Sequence, residues 1–144
     1  MSKVISASAT WQGNMKFEGH APSSGFTLPM DAGKVSGGEG TGFSPMELLL
    51  VGLAGCTAMD VISILKKKRQ DVSGLVVNVK GTRGDTHPKV YEDIEIEYVL
   101  TGNGVDPKAL ERAIGLSESK YCGVQAMLKQ TASVRSTYRI EAEQ

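Results

Sequence analysis

The stretch Ser44-Pro45-Met46-Glu47-Leu48-Leu49-Leu50-Val51-Gly52-Leu53-Ala54-Gly55-Cys56 decides how the rest of the chain must fold. Ser44 suits a helix N-cap, Pro45 the first helical position, and Glu47 closes a capping box three residues on. Apolar residues then run almost unbroken to Leu65, and Lys66-Lys67-Lys68-Arg69 places cations where a helix C-terminus favours them. A helix apolar on every side has to be buried on every side. It reads as too short for a membrane span, and Thr57, Asp60 and Ser63 interrupt it. The rest of the chain, or a second copy of it, is therefore expected to wrap around it.

On the N-terminal side, Lys3 to Trp11 alternates and predicts a strand. Gln12-Gly13-Asn14 predicts a turn, Met15 to Glu18 a second strand of a hairpin, and Gly25 to Met30 a third strand. Asp31 to Gly42 holds five glycines and reads as a plain mobile loop. It is no phosphate cradle. No Gly-Lys-Ser/Thr follows, and the capping box starts the helix as a separate unit.

On the C-terminal side, Asp71-Val72-Ser73-Gly74 breaks the pattern, and Leu75 to Thr82 alternates as a half-buried strand. Arg83 to Lys89 is a turn. Val90 to Thr101 sets Ile94, Ile96, Tyr98 and Leu100 against Asp93, Glu95 and Glu97, which predicts a long strand with one wet face. Asp106 and Pro107 open a second helix running to about Ser119, with Leu110, Ala113, Ile114 and Ser117 inward. A short helix over Val124 to Gln130 and a closing strand over Ser133 to Glu141 complete the order. This is α+β rather than a βαβ repeat.

At 144 residues the chain is read as one domain, 1–144. Sixteen basic residues balance sixteen acidic ones, which argues against nucleic acid or an anionic membrane as partner. The N-terminus shows no apolar export segment, so a cytoplasmic location is expected. In that reducing compartment two cysteines make a reactive pair more readily than a structural disulfide.

Most free cysteines are inert, buried small hydrophobes. Two features lean against that for Cys56 and Cys122. Gly52, Ala54 and Gly55 leave room beside Cys56. Cys122 sits where a helix N-terminus would favour a thiolate. Cys56, Cys122, His20 and His87 lack metal-ligand spacing, so no metal site is expected. His87, before Pro88, reads as an exposed turn residue.

Ser44 through Leu50 with Gly55-Cys56, followed by Ser117-Glu118-Ser119-Lys120-Tyr121-Cys122-Gly123-Val124, resembles the osmotically inducible protein C and organic hydroperoxide resistance (OsmC/Ohr) family. The order of strands and helices also fits. Asp60 to Leu65 and Lys68 to Val72 resemble its YhfA-like branch. The resemblance implies an intertwined homodimer with the central helices between two sheets and active sites at the subunit interface. It also implies thiol-dependent reduction of small hydroperoxides. Cys56 would be the peroxidatic thiolate, Cys122 the resolving thiol that condenses with it, and an external dithiol, such as a lipoyl group, the reductant. Neither metal nor flavin is called for. Reading Cys56 as the thiolate runs against the helix-terminus argument, which favours Cys122.

This chain departs from the family in one respect. The family's peroxidases activate the thiolate with an arginine from the N-terminal strands, held by a glutamate at the start of the central helix. Here no arginine precedes Arg69, and the glutamate position falls on Met46. At about 100° per residue, Met46 lies within about 80° of the Cys56 face and Glu47 about 180° round. Glu47 is therefore a capping residue, and Lys16 and His20 are the candidates for positive charge. Asp60, one turn after Cys56, would raise the thiol's pKa if unpaired, or else serve as a hydrogen-bonded polar residue at a dimer interface.

Two readings follow. One is a two-cysteine hydroperoxide reductase. The other is a small-molecule-binding or redox-sensing protein holding an apolar ligand near Met46, Leu49, Leu53 and Met59. A thiol-dependent transferase or hydrolase lacks a visible general base.

Overall fold

The computed structural model describes residues 2–144. The chain forms two compact units, 1–49 and 50–144. The long helix α1 (Pro45–Lys67) begins in the first and runs through the second. Its start is the predicted capping box. The Glu47 amide donates to Ser44 Oγ at 3.2 Å, and the Ser44 amide to Glu47 Oε1 at 3.4 Å. It ends where Arg69 turns left-handed at φ 56° and the Gln70 amide reaches back to the Leu65 carbonyl.

In the first unit, β1 (Ser8–Trp11), β2 (Phe17–Ala21) and β3 (Phe26–Met30) form an antiparallel sheet in chain order. The strand bounds differ from those the sequence pattern implied. β1 starts at Ser8 rather than Lys3, and β2 begins two residues later and ends beyond Glu18.

The glycine-rich segment after β3 corrects the mobile-loop expectation. Asp31 is buried, and its carboxylate accepts from the amides of Ala32 (2.8 Å), Glu39 (3.2 Å) and Thr41 (3.1 Å) and from the Thr41 hydroxyl (2.7 Å). A Cβ on Gly38 would sit 2.0 Å from the Ala32 carbonyl oxygen, and one on Gly42 2.7 Å from the backbone of Pro29. These glycines let backbone approach backbone. The segment is folded onto one carboxylate.

In the second unit, β4 (Asp71–Arg83), β5 (Tyr91–Asn103) and β6 (Ser133–Ala142) form a sheet with β5 central. β4 pairs antiparallel to β5, and it starts at Asp71, so it runs through the predicted break. A register shift between Val72 and Gly74 absorbs the irregular residues. β6 lies parallel to β5, which requires a crossover. α2 (Pro107–Leu116), a π-helical turn (Ser117–Tyr121) and α3 (Gly123–Leu128) supply it. The α+β assignment holds, with this one parallel connection inside it.

β5 carries the core. Ile94, Tyr98 and Leu100 are fully buried and Ile96 nearly so, as the alternation predicted. α2 is capped by Asp106, whose carboxylate accepts from the Lys108 amide at 3.0 Å, and it buries Ala109, Leu110, Ala113 and Ile114. On the wet face Arg135 pairs with Asp93 and Glu95, and Arg139 with Glu97 and Glu141.

α1 buries only Leu53, Thr57, Val61 and Leu65, one row at a spacing of four. Leu49, Val51 and Met59 remain largely exposed. By length and composition the 23-residue helix passes the test for a membrane span, a test that the core helix of a soluble protein passes equally. Its buried row is nonetheless not wholly apolar, and the polar member, Thr57, is tied into the second unit.

Candidate active site

α1 brings Cys56, Thr57 and Asp60 to the second unit on successive turns. Cys56 and Asp60 are four residues apart and share a face. The other half of the site comes from the crossover. At the end of α2 the backbone widens into the π-helical turn, and the Cys122 amide donates to the Ser117 carbonyl at 2.8 Å. This turn sets Ser117 and Cys122 beside α1. Widened turns of this kind recur where a helix must redirect a functional side chain.

The two cysteines, far apart in sequence, are brought together. Their sulfurs and an Asp60 carboxylate oxygen all lie within 4.8 Å of one another. Both thiols are free; Cys122 is buried and Cys56 half-buried. A disulfide needs about 2.05 Å between sulfurs, so bonding asks for a local approach. The cluster also gathers three donors that sequence spacing did not announce, one short of a tetrahedral zinc set.

The two thiols differ in environment. Cys122 caps α3, and its sulfur accepts from the Gln125 amide at 3.4 Å. That contact favours the thiolate, as the sequence argument held. Burial outweighs it and pushes the Cys122 thiol up to about 11, with Cys56 and Asp60 adding to the rise. Cys122 therefore keeps its proton at neutral pH.

Asp60 is not unpaired. Its Oδ2 accepts from Ser117 Oγ at 2.9 Å. Ser117 Oγ lies 2.9 Å from Thr57 Oγ1, which lies 2.8 Å from the Tyr98 hydroxyl, and that hydroxyl donates to Glu118 Oε2 at 2.8 Å. Burial, the largest effect, raises the Tyr98 hydroxyl well above its ordinary range, and Glu118 adds to the rise. Sequence reasoning placed Ser117 inward and Tyr98 on the buried face, but it did not see that they meet. The available signal was polar hydroxyls at core positions, where burial demands a partner.

The remaining sequence candidates have other roles. Glu47 is held in the capping box. His20 lies on β2, with Nδ1 3.2 Å from the Phe26 carbonyl. In the second unit Arg135 and Arg139 are engaged on the wet face of the sheet, and Arg83 donates to the Lys89 carbonyl. Asp60, Lys67, Lys68, Leu116 and Tyr121 line an open cleft of about 460 Å³, within the size range of small-molecule sites.

A family model described as OsmC-like protein matches residues 38–137. The chain is 34% identical over 138 residues to Protein YhfA of Escherichia coli K12, covering 96% of this chain and 99% of that one. A solved structure of a hypothetical protein from Aquifex aeolicus superposes with TM-score 0.87 at 37% identity, covering 99% of this chain and all of that one. An organic hydroperoxide resistance protein from Elizabethkingia anophelis shares the fold at 17% identity, with TM-score 0.73 over 98% of this chain and 99% of that one.

Proposed function

The chain belongs to the OsmC family, and on that premise we propose that it is a thiol-dependent hydroperoxide reductase with Cys56 as peroxidatic and Cys122 as resolving cysteine. The observation that carries this reading is the meeting of the two sulfurs within 4.8 Å. The half-buried Cys56 attacks the O–O bond and becomes a sulfenic acid. Cys122, protonated and close by, displaces hydroxide from it to give the disulfide. An external dithiol restores both thiols, so the cycle uses neither metal nor flavin. The name of the Elizabethkingia neighbour supports the substrate class.

The working unit is a homodimer. The support is the apolar surface of α1 left open in one chain, with Met59 76% and Val51 52% exposed.

Reduced protein mixed rapidly with cumene hydroperoxide or hydrogen peroxide tests the reading. Fast consumption with loss of two hydrogens in intact mass is expected, absent in Cys56→Ser, while Cys122→Ser accumulates a sulfenic acid. Equal, full activity in both variants overturns the mechanism.

A binding or redox-sensing protein is the competing reading. It is favoured by the lack of any arginine before Arg69 and by the capture of Glu47 in the capping box. Consumption no faster than by a free thiol would select it.

A further inference from the structure

Four oxygen–oxygen contacts run in series from the Asp60 carboxylate to the Glu118 carboxylate, through Ser117, Thr57 and Tyr98, each of 2.8 or 2.9 Å. All four have ordinary hydrogen-bond lengths. Three hydroxyls supply three protons, so with both carboxylates ionised one contact has no proton to share. One further proton, held at either end, fills all four. With it on Asp60, the donors run Asp60 to Ser117 to Thr57 to Tyr98 to Glu118. With it on Glu118, every hydroxyl turns round. The row has two complete polarities, and passing between them moves one proton from one carboxylate to the other.

Burial favours this use. Thr57, Tyr98 and Ser117 are fully inaccessible to solvent, whereas Asp60 and Glu118 are half-buried. The middle is sealed and both ends open. At the Asp60 end stand the two sulfurs and the cleft. At the other end Glu118 also accepts from the exposed Ser136 at 3.1 Å, and Lys129 Nζ donates to its backbone carbonyl at 2.6 Å.

We propose that Ser117, Thr57 and Tyr98 relay protons between Glu118 and Asp60, and that Asp60 serves as the acid–base group for the thiol pair. The proposal rests on the hydroperoxide reading above. The Cys56 thiol gives up its proton to solvent, and its thiolate attacks the terminal oxygen of ROOH; the S–O bond forms and the O–O bond breaks. Sulfur is oxidised by two electrons, and the departing RO⁻ takes the Asp60 proton and leaves as ROH. The Asp60 carboxylate then accepts the Cys122 proton as that sulfur attacks Cys56–SOH. It passes the proton to the leaving hydroxide, which departs as water. Asp60 is left ionised and is reloaded along the hydroxyl row from the Glu118 side, while substrate or reductant fills the cleft on its own side. The high proton affinity of the buried Cys122 thiol is why a base is needed there.

The test uses the pre-reduced full chain with tert-butyl hydroperoxide, then steady-state turnover on dihydrolipoamide. Asp60→Asn should slow the first oxidation by about a hundredfold, the lower end of general acid catalysis. Thr57→Val should slow steady-state turnover several-fold and abolish its solvent deuterium isotope effect. Thr57→Ser, which restores the hydroxyl but not the methyl, should rescue both; a packing role for Thr57 predicts the reverse ranking. Tyr98→Phe breaks the same row at a second point. Unchanged turnover and isotope effect in Thr57→Val and Tyr98→Phe overturn the relay. If wild type itself reacts no faster than a free thiol, the peroxidase reading has failed, and infrared spectroscopy decides the relay alone. The reduced protein should show a carboxylic-acid stretch, sensitive to heavy water, that disappears in the Asp60→Asn, Glu118→Gln double variant. Absence of that band in wild type overturns the relay.

Discussion

The two sheets are of equal strand number and very different self-sufficiency. β4, β5 and β6 run 13, 13 and 10 residues and bury Ile94, Ile96, Tyr98 and Leu100 within their own unit. β1, β2 and β3 run 4, 5 and 5 residues, and Gly19 is their one buried residue. Trp11 and Phe26 stand 64% and 77% exposed. Three short strands need an apolar face packed on something to persist. The second unit carries its own core and the thiol pair, whereas the first presents apolar surface. α1 repeats the contrast along its length, with one buried row beside the open Leu49, Val51 and Met59. The homodimer proposed above would give both surfaces a partner.

The largest effect should come from breaking that partnership. Wild type is expected to sediment as a dimer at micromolar concentration, with an unfolding midpoint that rises with concentration. Met59→Asp, placing a charge on the open face of α1, should abolish the dimer. A folded wild-type monomer at that concentration would mean the N-terminal surface is left bare. Next in size is the core of the second unit. Leu100→Ala should cost roughly 2–5 kcal/mol in denaturant unfolding, whereas Phe26→Ala should act mainly by weakening dimerisation. If Phe26→Ala leaves the concentration dependence unchanged, the first sheet's apolar face has no partner.

The cysteines sharpen the comparison within one unit. Iodoacetamide should label the half-buried Cys56 before Cys122, whose thiol burial pushes up to about 11. Peptide mass mapping between neutral pH and pH 9 would show the order, and prior labelling of Cys122 would reverse the roles assigned.

Legibility in the sequence followed the same division. Local signals read correctly: the Ser44–Glu47 box, the Asp106-Pro107 helix start and the alternation of β5 all stand as expected. These depend on neighbours within a few residues. What was missed depends on contacts across the chain. The pairing of Asp60 with Ser117 spans 57 positions and that of Thr57 with Tyr98 spans 41. No periodicity reports such a meeting. The motifs that carried the family resemblance supplied the Cys56–Cys122 pairing, which spacing alone left open. The raised proton affinity of Cys122 comes from its burial, a quantity that a helix-terminus argument does not contain.

The loop of residues 31–42 is where composition misled most plainly. Five glycines read as mobility, yet Gly38 and Gly42 are there because the backbone passes too close for a Cβ. Asp31 is the post around which the loop closes. Its bond from the Thr41 hydroxyl, with those from the Thr41, Glu39 and Ala32 amides, holds its carboxyl below the usual range despite burial. In the unfolded chain the same group titrates near an ordinary aspartate, about 3.9. The folded state therefore binds its proton more weakly, and Asp31 stabilises the fold above that value. The contribution is lost only as pH falls through the lower, folded value. Amide exchange should accordingly show Glu39 and Thr41 still protected at about pH 4, with protection fading on further acidification before that of β5. Asp31→Ala should release both amides at every pH and leave β5 protected. Thr41 remaining protected in that variant would show that the glycine contacts, rather than the carboxylate, hold the loop.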